Sequence, residues 1–313
     1  PHEAELLVQP QAGRVLRVHA REDHMQPPRL RRPAMSLSRA GQGRAGTYDL
    51  GIHDQAVWLV AQGLNPFMTS RGLQVQADHF SPIAYFLAPV YWLWDDARAL
   101  LVLQSFWLAA GAFPVYLLAR KYLRSSGLAQ GLAVLYLCQP GLMFANQFDF
   151  HFSTLLFTPL LWACYALEAR DSRVYYVALL TGLACSETAP FSLIGLLPLV
   201  WQRRGWRHAL ATLVLALSFL GFSHQWIRWH NLGQSTQYAQ LYSEYGGKSG
   251  GVVGHLLRHP VDSLNKLNTE LNRKYLLEIF APVAFVPWLA PLEMVPATPV
   301  MLGNLLSWRE SQH

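Results

Sequence analysis

The sequence ALLVLQSFWLAAGAFPVYLLA, from Ala99 to Ala119, contains no charged residue and is followed by Arg120, Lys121 and Arg124. About 20 apolar residues form about 30 Å of α-helix, which matches the hydrocarbon core of a lipid bilayer. Basic residues beside such a helix favour the cytoplasmic side of the membrane. The stretch therefore predicts a transmembrane helix whose end at Arg120 faces the cytoplasm.

Five more apolar stretches follow, and the last of them is interrupted by prolines. They are residues 127–146, 151–167, 174–201, 208–227 and 275–308. Of the 313 residues, 52% are hydrophobic and 14% are charged, whereas about 25% of the residues of a soluble domain are charged. This composition excludes an ordinary water-soluble enzyme and a disordered chain. We expect an all-α, polytopic transmembrane helical bundle with roughly six to eight crossings.

The long stretch at residues 174–201 contains Ser186, Glu187 and Thr188 near its middle. A straight helix would bury the Glu187 carboxylate near the bilayer centre, at a cost on the order of several kcal/mol. A helical hairpin that turns at Glu187 avoids this cost and brings the basic residues of both flanks to the same side as Arg120. These basic residues are Arg170, Arg173, Arg203, Arg204 and Arg207.

This topology assigns several segments to the non-cytoplasmic side of the membrane. They are residues 48–98 as an external first loop, the turn at 146–151, the hairpin tip at Glu187, and residues 228–273 as an external cap over the bundle. The cap segment is polar and rich in glycine and tyrosine, as connecting segments outside a membrane often are.

The apolar pattern places one transmembrane helical domain at residues 48–308. Residues 1–47 combine scattered arginines and prolines without an apolar run long enough for a signal peptide. Their composition favours a disordered basic arm over an amphipathic helix on anionic lipid. Residues 309–313 are predicted to be a short tail.

Acidic residues and histidines occur in the segments assigned to the external side. They are Asp49, Asp54, Asp78, His79, Asp149, His151 and Glu187. Ionisable groups beside apolar spans are unfavourable unless they face water or a ligand, which makes these residues functional candidates. Structural roles are the alternatives: Asp49 as a helix N-cap, Asp149 as the cap of a helix near His151, and Glu187 as a buried hydrogen-bond partner. Asp49 and Asp54 are five residues apart, so we expect them to serve different neighbours.

These side chains suit acid–base chemistry if they converge in one external cavity. A carboxylate that is partly shielded from water has a raised pKa and can accept a proton from a hydroxyl group. A second carboxylate or a histidine can orient the acceptor or hold a divalent cation. Arg71 or Arg98 can supply positive charge for a phosphate group.

Other short patterns do not predict a site. Gly247 to Ser249 resembles the end of a phosphate-binding loop, but Tyr242 stands where that loop requires glycine. His255 and His259 have zinc-protease spacing but lack the glutamate after the first histidine. The three cysteines lie in apolar stretches without metal-binding spacing. The basic residues form no continuous face, so we expect no nucleic-acid partner.

The motifs around the candidate residues resemble those of an uncharacterised family of predicted multi-pass bacterial membrane proteins. They are Tyr48-Asp-Leu-Gly-Ile-His-Asp-Gln-Ala-Val-Trp58, Asp78-His-Phe-Ser-Pro82, Phe148-Asp-Phe-His151 and Ser186-Glu187. The resemblance covers residues 48–308 and implies a location in the bacterial plasma membrane. The family is distantly similar to the GT-C glycosyltransferases, membrane enzymes that take a sugar from a polyprenyl-phosphate donor.

The resemblance to GT-C enzymes implies a catalytic base among the acidic residues of the first external loop. Asp49 is the first candidate for that base and Asp54 is the alternative. Relatives carry a hydrophobic helix just before the first motif and continue beyond residue 308, whereas residues 29–47 are rich in arginine here. We therefore expect this sequence to be truncated at both ends.

The sequence thus predicts an integral membrane protein, similar to glycosyltransferases, that transfers a sugar from a lipid-phosphate donor to an acceptor at the non-cytoplasmic face. Asp78, His79, Asp149, His151, Glu187 and Arg71 are the predicted substrate-binding residues. Membrane lipid and the polyprenyl-phosphate-linked sugar are the expected partners. A transporter or a noncatalytic membrane subunit is the alternative, because intramembrane acids and histidines also relay protons and bind cations.

Overall fold

The fold is described by a computed structural model. It describes residues 47–69, 72–231 and 267–306, together with residues 254, 255, 258, 259, 261 and 265. The predicted arm before Thr47, the predicted tail at 309–313, Arg71 and most of the predicted cap at 228–273 lie outside the described residues.

The described residues are almost entirely helical, as the sequence predicts. The N-terminal part contains α1 (Thr47–Ala61), α2 (Val75–Asp78), α3 (Ile83–Leu93), α4 (Arg98–Ala110), α5 (Ala112–Leu123), α6 (Ser126–Leu137) and α7 (Pro140–Phe148). Between α1 and α2, the two-residue strands β1 (Phe67–Met68) and β2 (Leu73–Gln74) pair in antiparallel orientation. The predicted external loop at 48–98 is therefore largely helical, since its apolar run at 83–93 folds as α3.

The central part of the chain continues the bundle. A 3-10 helix (Phe152–Leu156) leads into α8 (Phe157–Ala169), followed by α9 (Ser172–Cys185), α10 (Ala189–Arg204) and α11 (Trp206–His230). The C-terminal part contains α12 (Glu270–Phe280), α13 (Pro291–Met294) and α14 (Thr298–Leu306), with 3-10 turns at Ala281–Val283, Val286–Leu289 and Val295–Ala297.

Local sequence signals set several helix ends. The Ser125 side chain accepts a hydrogen bond from the backbone N–H of Leu128 and caps α6, and the Asp171 carboxylate caps α9 in the same way. Such caps satisfy backbone donors that a helix leaves unpaired at its N-terminus. Pro140 occupies the first turn of α7, a position where its missing N–H carries no penalty.

Three helices in the described ranges are long and apolar enough to cross a membrane. They are Arg98–Leu123, which joins α4 and α5, Phe152–Ala169, and Trp206–His230. The pair α6 and α7, bent by 42°, forms a fourth span if the two helices cross together. The predicted six to eight crossings exceed this number, because the stretch at 174–201 divides into two shorter helices and prolines break the stretch at 275–308.

The long apolar stretch breaks at the predicted place. Helix α9 ends at Cys185 and α10 begins at Ala189, so Ser186, Glu187 and Thr188 form the connection. Arg204 at the end of α10 hydrogen-bonds Ser172 at the start of α9. The two helices therefore run in opposite directions, as the predicted hairpin requires.

Two groups of buried apolar side chains hold the helices together. One lies among α1, α3, α4 and the segment after α7, and includes Val57, Leu100 and Phe150. The other lies among α8 to α11, where small residues such as Ala163 and Ala216 allow the helices to approach closely. Large apolar side chains also point outward, and Phe106 in α4 is 74% exposed. Such an outward apolar surface suits lipid rather than water.

The predicted basic flanks meet at one end of the bundle, where they surround Glu168 of α8. Its carboxylate lies 2.9 Å from Arg203 of α10 and 3.2 Å from Lys121 of α5, and Tyr122 donates a hydrogen bond to it. Arg203 also lies 3.4 Å from Glu293 of α13. These contacts tie the ends of several helices together at what we call the basic end.

Candidate functional site

The candidate site lies at the end of the bundle opposite the basic end. Helix α8 finishes at the basic end, so the residues just before its span, Asp149 and His151, lie at the other end. Helix α9 begins at the basic end, where Ser172 contacts Arg204, and so finishes near Glu187 at that same other end. We call this region the carboxylate–histidine end.

Asp49 and His151 form the first pair of the site. Asp49 lies in the first turn of α1, where a negative charge is favourable, rather than at the predicted N-cap. Its carboxylate is 3.3 Å from His151 Nε2, and the two side chains are 43% and 30% exposed. The Phe148 ring stacks on His151 from the same turn. Both members of this pair can therefore reach a ligand.

His79 and Glu187 form the second pair. Nδ1 of His79 lies 2.8 Å from the Glu187 carboxylate, and Nε2 lies 3.9 Å from the Asp78 carboxylate. The His79 side chain is 34% exposed, whereas Glu187 is 11% exposed. The imidazole is thus open to a ligand, with carboxylates beside both of its nitrogens.

Asp149 accepts backbone hydrogen bonds, but not as the cap of a helix near His151 that was the structural alternative. One carboxylate oxygen accepts a hydrogen bond of 2.9 Å from the backbone N–H of Leu50, in the first turn of α1. The other oxygen accepts from the N–H of Phe150. Burial raises the pKa of Asp149, and these two backbone hydrogen bonds oppose that change. Asp149 therefore caps α1, which holds Asp49, instead of a helix near His151.

His53 lies between the two pairs and was not predicted from the sequence. Its ring contacts Phe150, His151 and Phe152, with centroid distances of 5.7, 5.4 and 4.5 Å. The residue is 8% exposed, and its Nδ1 is buried without a hydrogen-bond partner in the described part of the chain. Burial, and to a lesser extent the proximity of His151 and His79, lowers the pKa of His53 to about 3. The ring is therefore neutral at physiological pH.

Gln104 also supports the site without having been predicted. This fully buried side chain of α4 donates a hydrogen bond of 3.1 Å to the backbone oxygen of Asp149. Its own side-chain oxygen accepts from the backbone N–H of His151. A glutamine inside the apolar stretch from Ala99 to Ala119 is the sequence signal that could have identified it.

The remaining predicted residues do not belong to either of the two carboxylate–histidine pairs. The Asp54 carboxylate accepts a hydrogen bond of 2.6 Å from Tyr91 of α3, so Asp49 and Asp54 serve different neighbours as expected. Arg98 is engaged by Asp96 and is largely exposed. Arg71 lies outside the described residues. Within the described ranges, no three histidine, cysteine or acidic side chains converge so that they could hold a metal ion.

Comparison with known proteins identifies a family but no characterised relative. Residues 44–313 match the model of a family described as "Predicted membrane protein (DUF2079)". No curated protein and no solved structure matches the chain significantly. The similarity to GT-C glycosyltransferases that the motifs imply is not shown by these comparisons. The match covers most of the chain and agrees with its several apolar helices of membrane-spanning length, so this protein belongs to the DUF2079 family of predicted membrane proteins.

Proposed function

We propose that this protein transfers a sugar from a polyprenyl-phosphate donor to an acceptor hydroxyl at the non-cytoplasmic face of the membrane. The partly exposed Asp49–His151 pair, at the end of the bundle opposite the arginines, carries this proposal. Arginine-rich ends of membrane proteins favour the cytoplasm, so the pair is expected on the other side.

The proposed reaction uses Asp49 as the general base. Its carboxylate accepts the proton of the acceptor hydroxyl while the hydroxyl oxygen forms a bond to the anomeric carbon of the donor. The bond between that carbon and the phosphate oxygen breaks, and polyprenyl phosphate leaves with the bonding electron pair. Attack from the opposite side inverts the anomeric centre. His151, 3.3 Å away, orients the Asp49 carboxylate.

The second pair provides the proposed contact to the donor phosphate. His79, when protonated, carries a positive charge at the carboxylate–histidine end, and Glu187 at 2.8 Å stabilises that charge. Arg71 is the proposed second cation. Asp78 lies beside the other nitrogen of His79, so it helps to hold the ring in place.

A lipid-linked donor suits the surroundings of the site better than a soluble one. Phe148, which stacks on His151, is largely exposed, as is Phe144 one turn earlier in α7. Together with α6, the helix α7 is long and apolar enough to cross a membrane, so its exposed aromatic rings would contact a hydrocarbon chain. The sugar-phosphate head would then reach Asp49 while the polyprenyl tail stays in the membrane.

The test is a transfer assay with the full chain in proteoliposomes. The substrates are a radiolabelled mannosyl or glucosyl polyprenyl phosphate and an alkyl alcohol acceptor, and the product measured is free polyprenyl phosphate. We expect Asp49→Asn to lower the rate by about 10²- to 10⁴-fold, as loss of a general base does. Asp96→Asn is the matched control because Asp96 pairs with Arg98, outside the two site pairs.

Four outcomes would contradict the proposal or the role that it assigns to Asp49. The wild-type protein could release no polyprenyl phosphate from either donor, or Asp49→Asn could retain the wild-type rate. Flux of a solute across sealed vesicles without bond cleavage would favour the transporter alternative. Loss of activity in Asp54→Asn but not in Asp49→Asn would make Asp54 the base and remove the role assigned to Asp49.

A further inference from the structure

The carboxylates of the basic end neutralise some of its arginines and not others. Glu168 and Glu293 engage Arg203. Among the described residues, by contrast, Arg204 and Arg207 form no ion pair with a carboxylate; Arg204 donates a hydrogen bond to the hydroxyl of Ser172, and its Nη1 is buried without a partner. The positive charge of both arginines is therefore not neutralised by a carboxylate, and that of the exposed Arg207 is accessible to an anion.

Arg207 lies on the surface at the start of α11. Its guanidinium group is 5.7 Å from the centre of the Trp206 ring, and both residues are exposed. Trp201, at the end of α10, is exposed as well. Tryptophans beside arginines at the end of an apolar helix are typical of the level of lipid headgroups. Arg204 and Arg207 thus lie where an anionic headgroup would meet the protein.

An open apolar surface starts beside Arg207 and follows one face of α11; we call this shallow surface the groove. It is lined by Trp206, Leu210, Val214 and Ser218, among other residues of the same helix. The distance along the helix from residue 207 to residue 218 is about 16 Å, since each residue adds about 1.5 Å. This length is close to half of a hydrocarbon core of about 30 Å, that is, to one leaflet.

We propose that an anionic phospholipid binds here, with its phosphate between Arg204 and Arg207 and one acyl chain along the groove of α11. The charge of the two arginines selects an anionic headgroup over a zwitterionic one. The apolar wall selects a lipid over a soluble phosphate. This site is separate from the carboxylate–histidine end and does not depend on the proposed transfer reaction.

The test measures lipid binding to the purified full chain by native mass spectrometry. Phosphatidylglycerol and phosphatidylcholine are titrated separately, and the dissociation constant of the first bound lipid is compared. We expect phosphatidylglycerol to bind more tightly and Arg207→Gln to weaken it about fivefold, since each arginine near an anionic headgroup contributes about that factor. Arg204→Gln combined with Arg207→Gln is expected to weaken it about twenty-fivefold.

The matched control is Arg120→Gln combined with Arg124→Gln. It removes the same charge from exposed positions at the basic end, away from the groove, and we expect a loss within about twofold. An equal loss in both double variants, or equal wild-type binding of the two lipids, would overturn the site. If soluble glycerol phosphate displaced the bound phosphatidylglycerol, the proposal that an acyl chain binds along the groove would be wrong. Arg207 is exposed, so its single variant keeps the test valid if the change at Arg204 disturbs folding.

Discussion

The two ends of the helix bundle use charge in different ways. At the basic end, the Glu168 carboxylate is 16% exposed and is surrounded by Arg203, Lys121 and Tyr122 from two other helices. At the carboxylate–histidine end, Asp49 and Glu187 each lie against a partly exposed histidine. The first arrangement joins permanent cations to one half-buried anion, whereas the second joins carboxylates to imidazoles, which are groups that can gain or lose a proton.

From this difference we expect the basic end to stabilise the fold and the carboxylate–histidine end to carry the proposed reaction. Arginine and lysine keep their charge across the physiological range, so Glu168 and its partners suit a fixed connection between helices. Histidine changes charge near neutral pH, and the neutral His53 lies between both histidine pairs. Exchanging a carboxylate for an amide at each end should therefore affect different properties.

Of the substitutions that compare the two ends here, Glu187→Gln is expected to have the largest effect. The amide keeps the size and a hydrogen-bonding group but removes the charge that stabilises protonated His79 at 2.8 Å. In the polyprenyl-phosphate assay, we expect the rate to fall about a hundredfold, within the range for loss of acid–base support. The midpoint of thermal unfolding in detergent should change little, because the side chain can still bond to His79.

The comparison between the ends would fail if Glu187→Gln unfolded the protein while the remaining folded fraction kept its specific activity. Glu278→Gln is a suitable control for the assay. Glu278 is exposed and pairs with Lys274 one turn earlier in α12, so its loss should leave both the rate and the stability within experimental error.

The opposite result is expected for Glu168→Gln at the basic end. Loss of this carboxylate leaves Arg203 and Lys121 without their shared partner, and we expect the free energy of unfolding to fall by about 2 kcal/mol. The proposed transferase activity of the folded protein should persist. Tryptophan fluorescence during unfolding in detergent measures the change.

Glu293→Gln tests whether the more exposed carboxylate of this cluster contributes less to stability than Glu168. Glu293 is 53% exposed and lies 3.4 Å from Arg203, so its removal should reduce the free energy of unfolding by less than about 0.5 kcal/mol. Equal effects of the two substitutions would show that Glu168 is not the centre of the basic end.

Much of the basic end could be predicted from the sequence. Arg120 follows an apolar helix directly, and Glu187 interrupts a long apolar stretch, so hydropathy and charge alone place the hairpin. The number of spans could not be predicted in the same way. Hydropathy does not reveal where helices end inside an apolar stretch, and the segments around Glu187 and the C-terminal prolines form helices shorter than a span.

The carboxylate–histidine end depends on contacts between distant parts of the chain. Asp149 bonds to Leu50, 99 residues earlier, and Gln104 bonds to the backbone on both sides of Phe150. Periodicity gives no information about such pairs. His53 was missed for a related reason: its importance comes from burial between two pairs that only the fold brings together.

The final prediction concerns the pH dependence of stability due to His53. Burial lowers its pKa from 6.5 to about 3 in the folded protein, so below pH 6.5 the unfolded chain binds a proton that the folded chain does not. Stability is therefore highest above this pH and falls as the pH decreases. We expect a loss of about 1 kcal/mol between about pH 7.5 and about pH 5.5.

His53→Phe tests this contribution, because phenylalanine can pack against Phe150 and Phe152 without titrating. Between these two pH values, the free energy of unfolding of the variant should fall by about 1 kcal/mol less than that of the wild-type protein. Asp49, His151 and His79 face His53 and are unchanged, so their own titration contributes to both proteins. Asp149 acts with the opposite sign in both proteins, since its raised pKa adds stability when the folded protein binds a proton. An identical pH dependence in the two proteins would mean that folding does not lower the pKa of His53, and the inference that burial keeps this ring neutral would be wrong.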